Sequence, residues 1–237
     1  MLFFIFILFF IITLSYLLIY SIKCEYFQNK IKYINNTPTH STNTYCLLLT
    51  TYNIPDRQHI YKNIIEKWLK HTNFTIFVVD SSGNKINIEH PRLHNFSFTQ
   101  DDTKYYKNKD GPTEAEKNSI IKAIHFFNKK LLDYDIIIKI TGKYFIPQLE
   151  NLIQYIPNDV DIIFQYRNNN ILKMQNSEIV GIRSKKILYL MKLIENMLFE
   201  NMLYNRIQDN RFKIYKLPKL EIENTIKRND GSVLTYL

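Results

Sequence analysis

The stretch Asp133-Tyr-Asp-Ile-Ile-Ile-Lys-Ile-Thr-Gly-Lys-Tyr-Phe-Ile-Pro147 sets two lysines, a threonine and a glycine around a run with four isoleucines in six residues. A short β-branched run bounded by glycine reads as a fully buried strand. Alternation assigns Ile136, Ile138 and Ile140 to one face, and Ile137, Lys139 and Thr141 to the other. An ammonium near the exit of a buried strand is costly to desolvate, so Lys139 must reach solvent or an anion. Thr141-Gly-Lys-Tyr144 then stands at the carboxyl end of the strand, the edge where open α/β sheets bind ligands. A lysine there is a good point charge for phosphate and a repelling neighbour for Mg²⁺ or Mn²⁺. Gly142 would allow the backbone to approach a phosphate closely.

The elements that must position this corner read as an alternation of strands and helices. Tyr45 to Asn53 is an apolar strand ending in polar residues, followed by a turn at Ile54-Pro-Asp-Arg57 with Asp56 as N-cap. Ile60, Ile64, Ile65, Trp68 and Leu69 mark the buried stripe of a helix over Arg57–His71. Asn73–Val79 is a second strand, ending in Asp80-Ser-Ser-Gly83. Strand, helix and strand in this order form a right-handed βαβ unit with parallel strands. A loop-rich section runs to Asp110, and a helix over Glu114–Leu132 buries Ile120, Ile121, Ile124, Phe127 and Leu131. After the isoleucine strand come a helix from Pro147, a strand over Val160–Tyr166 and a short one over Glu178–Ile182. Ser184 opens a helical region to Ile207, broken near Glu195, and the tail mixes a strand-like Lys213–Leu217 with an extended end.

The chain has 237 residues and a net charge of +9. Without a basic block or a nucleic-acid motif, that charge does not point to nucleic acid. Leu2–Ile22 carries no charge, and its 21 residues span roughly 30 Å as a helix, enough for a membrane anchor. Residues 23–44 read as a polar stem and 45–237 as the globular domain. Lys23, Lys30 and Lys32 favour a cytoplasmic domain. The sequons at Asn35, Asn73 and Asn95 would be used only in a lumen, so the side is left open. Cys24 and Cys46 make no disulfide framework. The histidines have no zinc spacing with cysteine, and no nucleophile elbow is present. Gly142-Lys143 fails as a P-loop, because Ile137 stands where the upstream glycine belongs and Tyr144 replaces Ser or Thr.

The order of motifs resembles the GT-A nucleotide-sugar glycosyltransferases, particularly family-two-like enzymes, over residues 45 to 210. Leu49-Thr-Thr-Tyr-Asn-Ile-Pro-Asp-Arg57 looks like their first strand and nucleotide-binding turn. Val78-Val-Asp-Ser-Ser-Gly83 resembles the second strand with its aspartate for the nucleobase. Gly111-Pro-Thr-Glu-Ala-Glu-Lys-Asn-Ser119 is similar to the start of the helix before the central strand. Phe199-Glu-Asn-Met-Leu-Tyr-Asn-Arg206 is similar to the late acidic motif. The resemblance implies a Rossmann-like, mostly parallel sheet flanked by helices. It also implies a nucleotide-sugar donor and a glycan or glycoconjugate acceptor. Donor contacts fall on Thr51, Tyr52, Asn53, Arg57, Asp80, Ser81, Ser82, Thr141, Gly142 and Tyr144. Glu200 becomes the base, with Glu195 second.

This chain departs from the family where an Asp-x-Asp metal motif normally stands. Asp133-Tyr-Asp135 and Asp159-Val-Asp161 both fall at strand entrances, the wrong edge, and Thr141-Gly-Lys-Tyr144 at the right edge has no carboxylate. The expectation is transfer without a metal, with Lys139 or Lys143 stabilising the leaving diphosphate. On that expectation Lys139→Ala and Lys143→Ala slow turnover and leave the fold intact. The alternative is a non-catalytic protein of the same fold that binds a nucleotide or a glycan.

Overall fold

The computed structural model describes residues 12–15, 40–101, 111–165, 168–169, 174–192, 199–227 and 233–237. The chain divides into two units, Met1–Pro38 and Thr39–Leu237. In the first, Ile12–Ser15 are helical and exposed; the rest of the expected anchor, Leu2–Ile22, lies outside the described residues. Among the described residues no helix is long and apolar enough to cross a membrane.

The second unit is built on a seven-stranded sheet of order β3-β2-β1-β4-β8-β5-β9. Its strands are β1 (Tyr45–Thr51), β2 (Thr75–Asp80), β3 (Leu93–Ser97), β4 (Ile136–Thr141), β5 (Ile162–Phe164), β8 (Ile179–Arg183) and β9 (Ile214–Lys216). All run parallel except β8, which is antiparallel to both β4 and β5. Two small ribbons stand apart: β6 (Asn168–Asn169) with β7 (Met174–Gln175), and β10 (Glu221–Lys227) with β11 (Val233–Tyr236). The helices are α1 (Pro55–His71), α2 (Gly111–Leu132), α3 (Leu149–Ile153), α4 (Ser184–Lys192) and α5 (Phe199–Gln208). The architecture is mixed α/β, as the sequence implied.

Cys46 to Leu49 and Ile136 to Ile138 are at most 1% exposed, so both faces of the central strands are covered. That explains their continuous apolar runs. The crossover from β1 to β2 carries α1, and the one from β3 to β4 carries α2. They travel in opposite directions along the sheet, and right-handed crossovers then put α1 and α2 on opposite faces. The strand order reverses between β1 and β4, and open α/β sheets hold their ligands at such a reversal, outside the carboxyl ends.

Several expectations are corrected. The buried stripe of α1 is Tyr61, Ile64, Ile65, Trp68 and Leu69, while Ile60 is 39% exposed. Tyr61 completes the i, i+3, i+4, i+7, i+8 phase of the helix, whereas Ile60 lies one residue out of it. Asp56 is not the cap: Ile54 holds the N-cap position without a side-chain bond, Pro55 follows, and Asp56 sits in the first turn. Ile121 is only half-buried. β3 lies within the section read as loop, and the tail forms the β10–β11 ribbon. Residues at the end of the expected stem belong to the globular unit, where Ser41 N donates to Gln154 O at 2.6 Å and Thr44 N to the Asp135 carboxylate at 2.9 Å.

Candidate active site

The carboxyl ends of β1, β2 and β4 converge in register. Thr51 faces Asp80 across one side of β1, and Thr50 faces Thr141 across the other. The turns at Asn53, Asp80 and Gly142 therefore share one edge, at the reversal of strand order. Gly142 N donates to Thr50 O at 2.8 Å and Ser81 N to Thr51 O at 3.1 Å, which staples both flanking turns to β1. A Cβ on Gly142 would lie 2.5 Å from Thr51 Cγ2 and 3.0 Å from Thr50 O. Glycine is required there for close packing against β1.

Asp80 is 1% exposed and spends its carboxylate on the two turns. Its Oδ2 accepts from Thr51 Oγ1 at 2.8 Å and Asn53 N at 2.7 Å, and its Oδ1 from Ser82 N at 2.9 Å and Ser82 Oγ at 2.5 Å. Asn53 Nδ2 donates to Asn84 O at 3.2 Å, and Asn84 Nδ2 to Asn53 O at 3.0 Å. Each bond satisfies a backbone or side-chain group that burial would otherwise penalise. Asp80 thus holds the edge rigid, and the acceptor left over in this turn is the buried Asn53 Oδ1.

A second network lies under β1 and β4 and centres on Glu116 of α2. The Lys139 ammonium is 2.6 Å from Glu116 Oε1, and both Thr50 Oγ1, at 2.9 Å, and Thr141 Oγ1, at 3.3 Å, donate to the same oxygen. Lys139 also donates to Ser177 O at 2.6 Å and meets Thr141 Oγ1 at 3.3 Å. Three acceptors take its three protons, and Lys139 is 3% exposed. The anion that its buried position demanded is Glu116, within the protein. The role expected for Lys139 toward a leaving diphosphate meets this geometry: each of its three protons already has an acceptor within the protein.

Ser177 joins this network to Glu200 on α5. Its hydroxyl donates to Glu200 Oε1 at 2.9 Å, with Glu116 Oε2 3.4 Å away. Glu200 Oε2 is enclosed without a hydrogen-bond partner, and the buried Phe199 ring lies 6.0 Å from the Lys139 ammonium. Burial above all raises the Glu200 carboxyl above its ordinary value, and the like charge of Glu116 pushes the same way. The Ser177 bond and Lys139 oppose them. A carboxylate raised in this manner is a stronger proton acceptor near neutral pH.

The remaining expected residues scatter around this edge. Arg57 is exposed on the first turn of α1, while Tyr52 and Lys143 are half-buried; Lys143 Nζ lies 5.3 Å over the Tyr144 ring. Tyr144 itself is 3% exposed, and its carbonyl accepts from Trp68 Nε1 at 3.0 Å. Its side chain is buried. Ser81 is buried and donates its hydroxyl to Thr51 O. Glu195 lies outside the described residues. The sequence reading missed Glu116, Ser177 and Thr50. Glu116 stood inside the quoted helix-start segment, where its spacing to Ala115 and Ser119 carries no chemical signal.

Among the described residues, the carboxylates of this network are already engaged. Glu116 already binds an ammonium, Glu200 is the one further carboxylate in the network, and no group of three potential metal ligands occurs among the described residues. The two Asp-x-Asp strings do lie at the opposite edge: Asp135 is bonded to Thr44, and Asp161 is 2.8 Å from Lys186.

No family model and no curated protein matches the chain. Similar solved structures include the mannosyltransferase PcManGT from Pyrobaculum calidifontis, determined with GDP-Man and Mn²⁺. It is 12% identical, with a TM-score of 0.48, over 84% of this chain and 63% of that one. A glycosyltransferase involved in glycosylation of the major capsid of PBCV-1 is 7% identical, with a TM-score of 0.47, over 73% and 81%. The glycosyltransferase GlyE of Streptococcus pneumoniae TIGR4 is 10% identical, with a TM-score of 0.43, over 75% and 45%. The chain thus spans less than two thirds of the length of PcManGT and less than half of GlyE.

Proposed function

We propose that this chain is a glycosyltransferase that moves a sugar from a nucleotide-sugar donor to a glycan or glycoconjugate acceptor. The observation that carries the reading is the convergence of the β1, β2 and β4 turns at the reversal of strand order, directly above a buried carboxylate–lysine network. The motif order of the sequence supports the same conclusion. Glu200 is the base that takes the proton of the acceptor hydroxyl. Arg57, from the first turn of α1, and Lys143, from the turn after β4, supply positive charge to the departing diphosphate. Lys139 is a positioning residue: it fixes Glu116, and through Ser177 O it fixes the segment before β8. Transfer proceeds without a divalent metal, an inference supported by the ammonium bound where a cation would compete for Glu116. The apolar stretch Leu2–Ile22 supports an anchored placement next to a membrane-borne acceptor.

The test is release of nucleoside diphosphate from a panel of nucleotide sugars, with EDTA present. Release that Glu200→Gln abolishes supports the enzyme. The non-catalytic alternative is favoured by one observation, the enclosure of Glu200 Oε2. A nucleotide that raises the melting temperature without any product release selects that alternative.

A further inference from the structure

We propose that Ser177 is a positioning residue that couples Glu200 to the Glu116–Lys139 ion pair and so sets how tightly Glu200 holds a proton. The use of that proton in catalysis rests on the glycosyl-transfer reading; the coupling itself does not.

A serine hydroxyl carries one proton and two lone pairs, and here it stands between two carboxylates, 2.9 Å from Glu200 Oε1 and 3.4 Å from Glu116 Oε2. The charge of Glu116 is met by Lys139 at 2.6 Å, whereas Glu200 has no cation in bonding contact among the described residues. The Ser177 proton therefore belongs to Glu200 while Glu200 is ionised. When Glu200 takes up a proton, its new O–H donates to Ser177 Oγ, and Ser177 turns its own proton toward Glu116. One proton enters Glu200, Ser177 keeps one throughout, and only the hydroxyl rotates. The Ser177 carbonyl is held by Lys139 at 2.6 Å, which fixes the Ser177 backbone between the two carboxylates. Among the described residues, the charged groups that act on Glu200 are Glu116 from α2 and Lys139 from β4; Glu178 follows Ser177 in the chain, and Tyr204 stands one turn on along α5. On α5 itself stands Arg206, which pairs with Asp209 at 3.5 Å. The nearby β7 presents Gln175, which is neutral.

The coupling is tested in the purified full-length chain by a ¹³C-NMR titration of glutamate δ-carboxyl carbons, with the Glu200 signal assigned by Glu200→Gln. Ser177→Ala removes a donor to the ionised form and moves the Glu200 midpoint up by roughly one pH unit. Ser177→Thr keeps the hydroxyl and restores the wild-type midpoint. Glu116→Gln removes the like charge and moves the midpoint down, while Lys139→Met removes the cation and moves it up. A packing role for these residues would not give opposite signs. An unchanged midpoint in Ser177→Ala overturns the proposal, as does movement of Glu116→Gln and Lys139→Met in the same direction. The Ser177 pair decides alone if either buried-pair variant does not fold. The expected titration pattern without any sugar transfer would leave the coupling standing and remove only the enzyme reading.

Discussion

Replacing Lys139 by Met keeps most of the length of the side chain and removes its charge from a site that is 3% exposed. At 2.6 Å and an effective dielectric constant of about 20, its attraction to Glu116 is about 6 kcal/mol. Desolvation of both ions offsets much of that, so the net worth of the intact pair is small. The cost of breaking it is not small, because Glu116 is left ionised and largely buried. Loss of one partner of such a pair costs about 3–5 kcal/mol. Glu116 keeps the Thr50 and Thr141 hydroxyls, and its side chain is 20% exposed, which places the expected loss at the lower end, about 3 kcal/mol. Glu116→Gln strands the ammonium instead, and Lys139, at 4% side-chain exposure, suffers at least as much. The double variant Lys139→Met/Glu116→Gln leaves neither charge and recovers most of the loss. Urea denaturation of the four proteins yields the coupling directly. Strict additivity, or a loss below about 1 kcal/mol in Lys139→Met, would refute the assignment of Lys139 to a buried pair.

Four further outcomes follow from the same structure. Glu200→Gln lowers transfer by about 10²- to 10⁴-fold in a donor-turnover assay. The raised Glu200 carboxyl costs stability as pH climbs from its unfolded value near 4.5 through its folded one, so the variant gains on the wild type over that interval in denaturation curves. Gly142→Ala drives a methyl into Thr51 Cγ2 and Thr50 O and destabilises by about 1–3 kcal/mol; unchanged stability would show that β1 and the β4 turn are not stapled. Asp80→Ala orphans the Asn53 and Ser82 amides and costs about 3 kcal/mol, measured by the same denaturation, whether or not a nucleotide is present.

How far the sequence reached depended on whether a feature was local. The isoleucine run gave β4 to the residue, and the demand that Lys139 meet an anion was a valid desolvation argument. The identity of that anion was not legible, because Glu116 approaches from a helix 23 positions upstream and exposed glutamates near a helix start look no different. Asp80 was picked out by its place after β2, but its role as the clasp of two turns depends on the β1–β2 register. Ile60 entered the expected stripe as an apolar residue, although helical phase favours Tyr61. β3 escaped because Leu93-His-Asn-Phe-Ser has no alternation, as befits an edge strand whose residues after Leu93 are half-buried.

The central claim is that the joint edge of β1, β2 and β4 receives a nucleotide sugar and that Glu200 acts on its acceptor. Nucleoside diphosphate release from a nucleotide-sugar panel, measured in EDTA for the wild type and Glu200→Gln, tests it most directly. The account predicts release by the wild type with at least one donor, reduced about 10²-fold or more in the variant. Equal release by both folded proteins, or none from the wild type with any donor, would contradict it.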